Sequence, residues 1–330
     1  MDVLTDVLQS FRLRSQVYGR FEMTAPWGFR LDVSHSPHPV LFVVSRGAAW
    51  LEVDGVDGSI PLAGGDFVLL PRGNAFNLRD KGDTPVVSME EMLKACGKAP
   101  GQCETSPVLH FGGGGSAATL ISGCLQFEEG GSSPIVDALP TLIHVKGDQG
   151  EPVQWLASTL QFLACEAASS MPGSEAIRSR LADILFVQAV RYHISSTGDH
   201  PAGWLRALND PQIGKSLRLL HEKPADPWTV ESLADGVAMS RSAFAEKFSS
   251  VVGEPPLSYL TRWRMQKAAK MLRQPDTTIA TVARAVGYEA EASFGKAFKR
   301  EMGMAPGEYR ASTKVERHQI SGPEMQAARI

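Results

Sequence analysis

Four cysteines in 330 residues are too few for a disulfide framework and favour a reducing compartment. No apolar run approaches the roughly 18 residues that span a bilayer. The amino terminus, MDVLTDVLQSFRLRSQ, lacks the basic start and apolar core of a secretory signal. Together these absences point to a cytoplasmic protein with no membrane partner. The run Gly112–Gly115 is not followed by the GK[ST] ending of a phosphate-binding loop and reads as a flexible turn; neither GxSxG nor HExxH occurs. No catalytic residue set and no cofactor is indicated. Met265, Met271, Met302 and Met304 read as core or gap filling.

What is present is ample core material, with 43% hydrophobic and 21% charged residues. The length favours two domains and a connection. The net charge of −3 conceals a reversal along the chain. Residues 1–200 carry 14 Lys+Arg against 22 Asp+Glu, net −8, whereas residues 201–315 carry 17 against 12, net +5. A polyanion is repelled by the first region and attracted by the second.

The first 20 residues place apolar side chains at near-helical spacing, until Pro26 and Gly28 break the pattern. LFVVSRGAAWLEVDG and SIPLAGGDFVLLPRGNAFNL then give short alternating or continuous apolar runs between Asp-Gly, Gly-Gly and Arg-Gly turns, the pattern of a sandwich or small barrel. ATLISGCLQFE adds a strand, and Leu139-Pro140 closes the region. From Val153 the period becomes helical: EPVQWLASTLQFLACEAA and SEAIRSRLADILFVQAVRYHI form a hairpin around Met171-Pro172-Gly173. The expected organisation is a barrel or sandwich over 1–150, a dimerising or connecting helical hairpin over 151–200, an all-α domain over 201–315 and a flexible tail over 316–330. The fold class is thus α+β and multidomain.

The last helical region contains one pattern twice. Fifty residues separate Phe244 from Phe294, Phe248 from Phe298, Gly253 from Gly303, Pro256 from Pro306 and Tyr259 from Tyr309. Ala234 pairs with Ala283 and Val237 with Val286 at forty-nine, so the second copy gains one residue in the turn between its helices. In the first copy Thr229 caps a helix through about Val237 and Ser240 caps the next. Phe244, Phe248 and Val251 share that second helix's inward face. Its outward face offers Ser242, Glu246 and Ser249, flanked by Arg241 and Ala245. The second copy turns Phe294 and Phe298 inward and Ala292, Lys296 and Lys299 outward, with Gly295 beside them and Glu291 and Arg300 near the ends. Small side chains let a helix approach a major-groove floor, and Lys or Arg reach guanine edges or phosphates. Glu246 fits either a cytosine amino group or a neighbouring cation. PPLSYLTRWRMQKAAKMLRQ joins the copies as a basic helix whose Arg262 and Arg264, like Ser240 at the start of the first reading helix, are further candidate DNA contacts, and it is long enough to set two reading heads on adjacent turns of double-stranded DNA.

These residues also carry a resemblance. MSRSAFAEKF, YLTRWRMQKAAKML and IATVARAVGYEAEASFGKAFKREMGMAPGEYR resemble the AraC/XylS family of bacterial transcription regulators, and the likeness runs upstream into a cupin-type domain. It implies a cytoplasmic DNA-binding regulator with an amino-terminal sensing or dimerisation domain. Its partners would be DNA, RNA polymerase, a small-molecule effector and a second copy of the chain. Cupins can also be metalloenzymes, which need converging His and carboxylate ligands. GGDFVLLPRGNAF resembles the second cupin motif, but Phe76 stands where a ligand histidine commonly occurs and the first motif is missing. His35 and His38 read as surface residues. Cys96, Cys103, His110 and Cys124 form a zinc or redox candidate; against it stands the absence of CxxC spacing and the apolar setting of Cys124. The leading reading is a sequence-specific regulator, not an enzyme. Its competitors are a cupin metalloenzyme with a DNA-binding appendage and a constitutive DNA-binding protein whose first domain only dimerises.

Overall fold

A computed structural model describes residues 3–10, 13–32, 38–98, 108–127, 134–147, 154–169, 171–196, 204–274 and 277–312. His35, Cys103 and the tail 316–330 lie outside them. The chain divides into two compact units, Arg12–Asp199 and Met1–Phe11 with His200–Ile330.

In the Arg12–Asp199 unit the strands are β1 (Leu13–Thr24), β2 (Gly28–Leu31), β3 (Val40–Arg46), β4 (Ala48–Val53), β5 (Ile60–Ala63), β6 (Phe67–Leu70), β7 (Phe76–Arg79), β8 (Val87–Ser88), β9 (Val108–Gly112), β10 (Ala117–Phe127) and β11 (Ile143–Val145). One sheet runs β11-β6-β3-β10-β1-β9 and the other β5-β4-β7-β2-β8. The near-helical spacing read over residues 1–20 is only half observed. Helix α1 (Val3–Ser10) ends before β1, where Phe21 and Met23 are buried and Arg20 and Glu22 half-exposed, the two-residue period of a strand. Leu139-Pro140 is not the end of the sheets either, since β11 follows it and pairs with β6. The glycine run after β9 is pinned rather than loose: Gly113 N–H and Gly115 N–H donate to the carbonyls of Thr24 and Ala25 at 2.8 Å each.

Between the sheets the core is aromatic. Phe42 and Phe76 stack with centroids 5.3 Å apart, and Phe29 lies 6.4 Å from each of Phe21, Trp27 and Phe76. Phe76 therefore fills the interior where a metal-binding cupin would place a ligand. Helices α2 (Met89–Ala95) and α3 (Pro134–Ala138) are additions; α2 begins with a Ser88–Glu91 capping box, a signal visible in the sequence. Helices α4 (Gln154–Ala167) and α5 (Ser174–Ser196) form the hairpin and pack on β1, β3 and β11. This explains why Val40–Val44 of β3 are buried on both faces and read as an unbroken apolar run.

The other unit is helical: α1, then α6 (Trp204–Ala207), α7 (Pro211–Glu222), α8 (Val230–Gly236), α9 (Arg241–Val252), α10 (Pro256–Leu272), α11 (Ile279–Ala285) and α12 (Glu291–Met302). Its first core gathers Ile213, Leu217, Leu233, Phe244, Phe248, Tyr259 and Trp263, and its second Met265, Ala269, Leu272, Val282, Phe294 and Phe298, all buried. Helix α10 serves both, its first half in one core and its second half in the other.

Helix α1 buries Val3 and Val7 against this unit and brings Asp6 to α7 and α10. The Asp6 carboxylate lies 3.0 Å from His221 Nδ1 and 3.4 Å from Lys267 Nζ, while His221 Nε2 meets the Tyr259 hydroxyl at 2.7 Å. Trp263 stacks on the imidazole at 4.1 Å, and Arg262 adds positive charge nearby. Burial pushes the His221 imidazole below its ordinary value, outweighing Asp6. Burial would raise the Asp6 carboxyl, but the His221 hydrogen bond and the Lys267 charge together hold it below its usual range. The consistent state is a neutral His221 donating from Nδ1 to ionised Asp6 and accepting from Tyr259. An imidazole with a depressed folded-state pKa binds fewer protons than in the unfolded chain, so its contribution to stability falls as pH drops below about 6.5. Protection factors of the α7 and α10 amides, with the intrinsic pH dependence of exchange divided out, are expected to fall from about pH 7.5 to about 5.5, and His221→Gln is expected to flatten that dependence.

Candidate nucleic-acid interface

Each repeat is a helix, a tight turn and a second helix. Thr229 accepts from Ser232 N–H at the start of α8, and Ser240 from Ala243 N–H at the start of α9, so both expected caps are present. The turns match in detail. Met239 N–H bonds to the Ala234 carbonyl and Tyr288 N–H to that of Ala283, while Ala238 and Gly287 both take left-handed backbone at φ 56° and 84°. With Met239 equivalent to Tyr288 and Ser240 to Ala290, the residue gained in the second copy is Glu289. No side-chain cap occurs at Ala290.

On α9 the buried face is Phe244, Phe248 and Val252; Val251 is only half-buried, so the third inward position falls one residue later than expected. Arg241, Ser242 and Glu246 are exposed, with Ala245 and Ser249 half-buried beside them. Lys247 turns inward to Asp210 at 2.9 Å and Gln212 at 3.0 Å, which removes its charge from the outer face. On α12, Phe294, Ala297 and Phe298 are buried, whereas Glu291, Ala292, Lys296, Lys299 and Arg300 are exposed. Arg300 pairs with Glu301 at 3.0 Å. Lys296 and Lys299 have no ion pair among the described residues. Gly295 is half-buried, and a Cβ added there would meet nothing within 4 Å.

The two linker arginines are engaged within the chain. Arg262 forms an ion pair with Glu254 and lies over Tyr259 at 5.3 Å. Arg264 donates from Nε to the Pro224 carbonyl at 2.6 Å and from Nη2 to that of Asp226 at 2.7 Å. Its guanidinium sits 5.8 Å from the Tyr288 ring centre, and burial pushes it below its ordinary value. Arg264, a DNA-contact candidate in the sequence, is thus also an internal tie, with two of its five N–H donors directed at these carbonyls.

The cysteine candidate does not assemble among the described residues. Cys96 donates to the His110 carbonyl at 3.1 Å, and burial pushes its thiol up, away from thiolate reactivity. Cys124 is buried within β10, at 3% exposure. No group of three His, Cys, Asp or Glu suited to a metal occurs among the described residues, and no helix there is long and apolar enough to cross a membrane. Sequence reading missed the Asp6–His221–Tyr259 network, whose members lie too far apart in sequence for any spacing to announce them.

Comparison with known proteins joins these features. Residues 2–195 match the family model described as cupin, and residues 233–312 match that described as helix-turn-helix domain. A Streptomyces lividans protein described as an AraC-like transcription regulator is 37% identical over 313 residues, which cover 94% of this chain and 98% of that one. The chain belongs to the AraC family of transcription regulators. The regulator AlkR of Acinetobacter baylyi is 31% identical over 94% of this chain and 99% of its own. RclR of Escherichia coli, described as an RCS-specific transcriptional activator, is 36% identical over 58% of this chain and 67% of its own. This AraC-type protein is accordingly a DNA-binding transcription regulator with an amino-terminal cupin domain.

Proposed function

We propose that this regulator reads DNA through α9 and α12 as two unlike heads. The observation carrying this reading is the pair of exposed lysines, Lys296 and Lys299, on a helix whose opposite face is locked into a phenylalanine core. Helix α12 supplies cationic phosphate contacts, while α9 presents Arg241, Ser242, Glu246 and Ser249 for base choice, with Ala245 and Ala292 allowing close approach. Gly295 sharpens the assignment. A mid-helix glycine costs about 1 kcal/mol relative to alanine, and no internal neighbour requires it. Its use lies outside the chain, where the α12 backbone meets DNA. Gly295→Ala is expected to raise the melting temperature of the helical unit yet weaken operator binding several-fold; a more stable variant with unchanged affinity would remove Gly295 from the interface.

The Arg12–Asp199 unit is proposed to sense and to dimerise, in the cytoplasm, in a protein that acts with RNA polymerase and is not itself an enzyme. Its sheet-lined interior is filled by aromatic rings, so an effector finds room instead in an open cleft of about 820 Å³ bordered by Pro26, Trp27, Ala48, Lys81, Asp83 and Ser116. An apolar floor with one cation, Lys81, and two carboxylates, Asp80 and Asp83, at the rim suits a small molecule with a polar end. Thermal-shift screening of the full chain against small amphiphilic acids and amines, repeated with Ala48→Trp, checks this: hits that persist in the variant place the effector elsewhere.

Dimerisation is assigned to α5. Ile177 and Ile184, at 38% and 47% exposure, lie seven residues apart on one stripe that continues to the exposed Arg191. Antiparallel pairing with a second copy about Ile184 packs Ile184 on its own copy and each Ile177 against the alkyl stem of the opposite Arg191.

A further inference from the structure

We infer that Arg264 is a positioning residue that fixes the distance and rotation between the two recognition helices, and so sets which spacing of DNA segments the regulator accepts. The inference rests on the two-headed reading above. Arg264 lies at the middle of α10, between Trp263, buried in the first core, and Met265, buried in the second. A single continuous helix joining two cores can bend and twist there unless something else braces them. The brace is the loop before the first repeat. Arg264 holds its carbonyls at Pro224 and Asp226 while facing the ring of Tyr288, which belongs to the turn of the second repeat.

The loop is stiff enough to serve. Pro224 and Pro227 flank it, Asp226 N–H donates to the Lys223 carbonyl at 3.2 Å, and the Trp228 indole donates to the same carbonyl at 2.8 Å. The second repeat meets it without a gap. A Cβ on Gly287 would stand 2.6 Å from the Ala225 carbonyl oxygen and 2.9 Å from its Cα. Ala238, the matching position of the first repeat, carries a Cβ in the same left-handed backbone. Left-handed backbone alone therefore does not dictate glycine; the close approach of the two heads does. Arg264 and Gly287 hold that contact from opposite sides, one by a two-pronged hydrogen bond and one by the absence of a side chain.

The test is selection of bound duplexes from a randomised pool by the full chain and by Arg264→Ala. Wild type is expected to yield two conserved segments at one spacing, and to lose at least about tenfold in affinity when one base pair, a step of about 3.4 Å and 36°, is inserted between them. Arg264→Ala is expected to yield the same two segments over a spread of spacings, with the insertion penalty reduced to about threefold or less. A merely structural role would weaken binding to all duplexes alike and leave the penalty intact. If Arg264→Ala does not fold by circular dichroism, Arg264→Gln and Gly287→Ala take its place with the same expectation. One fixed spacing in a folded variant overturns the inference, whereas a single conserved segment from wild type overturns the two-headed reading beneath it.

Discussion

Replacing Lys296 and Lys299 together by alanine is expected to lower operator affinity about 100-fold at physiological salt, and to do so nearly uniformly across operator variants. Both ammonium groups are exposed on α12 without an ion pair among the described residues, so neither supports the fold. Their removal costs two phosphate contacts and the counterions those contacts release. The slope of log affinity against log salt should therefore fall by about 2. Arg241→Ala on α9 is expected to behave differently, changing base preference at one position by about 1–3 kcal/mol with a smaller change in salt slope. Equal, sequence-independent losses from the two helices would show that they do not divide the work, and an unchanged salt slope in the lysine pair would remove α12 from the phosphates.

Ile184→Glu is the second large effect. In the proposed dimer, a charge at the centre of the α5 stripe would meet its own copy across the twofold, where both would be desolvated. Sedimentation is expected to show a dimer for wild type and a monomer for the variant. Binding to a duplex with two operators should fall by about 10²–10⁴, the contribution of linking two reading units, while binding to a single operator stays within about twofold. Because Ile184 is half-exposed and makes no core contact of the kind that holds Leu181 and Leu185, the variant should still fold. A dimer that persists in Ile184→Glu places the subunit contact elsewhere.

How much of this was legible in the sequence depends on range. The repeats were plain because Phe244/Phe294 and Phe248/Phe298 are core residues at a fixed separation, and the caps at Thr229 and Ser240 act within four residues. The strand from Leu13 was obscured because its early residues continue an apolar spacing begun by Val3 and Val7, which a short window cannot divide. Phe76 was legible as a core residue, since one large apolar side chain in a tight turn pattern has few alternatives to burial. The internal bonds of Arg264 had no local signature. Composition treats every exposed-looking arginine on a basic helix alike, and only the folded loop at 224–226 shows that two carbonyls had claimed this one. The Asp6–His221 contact spans 215 positions and had no local signature. Val251 and Val252 were exchanged because neighbours on a helix differ by only about 100°.

Two unlike helix-turn-helix heads joined by the single helix α10 are proposed to read DNA side by side. Hydroxyl-radical and methylation-interference footprinting of the full chain on its selected operator tests it most directly. Two protected major-groove segments are expected on one face of the duplex, about one helical turn apart, with guanine interference concentrated under α9. A single protected segment, or two on opposite faces, would contradict it.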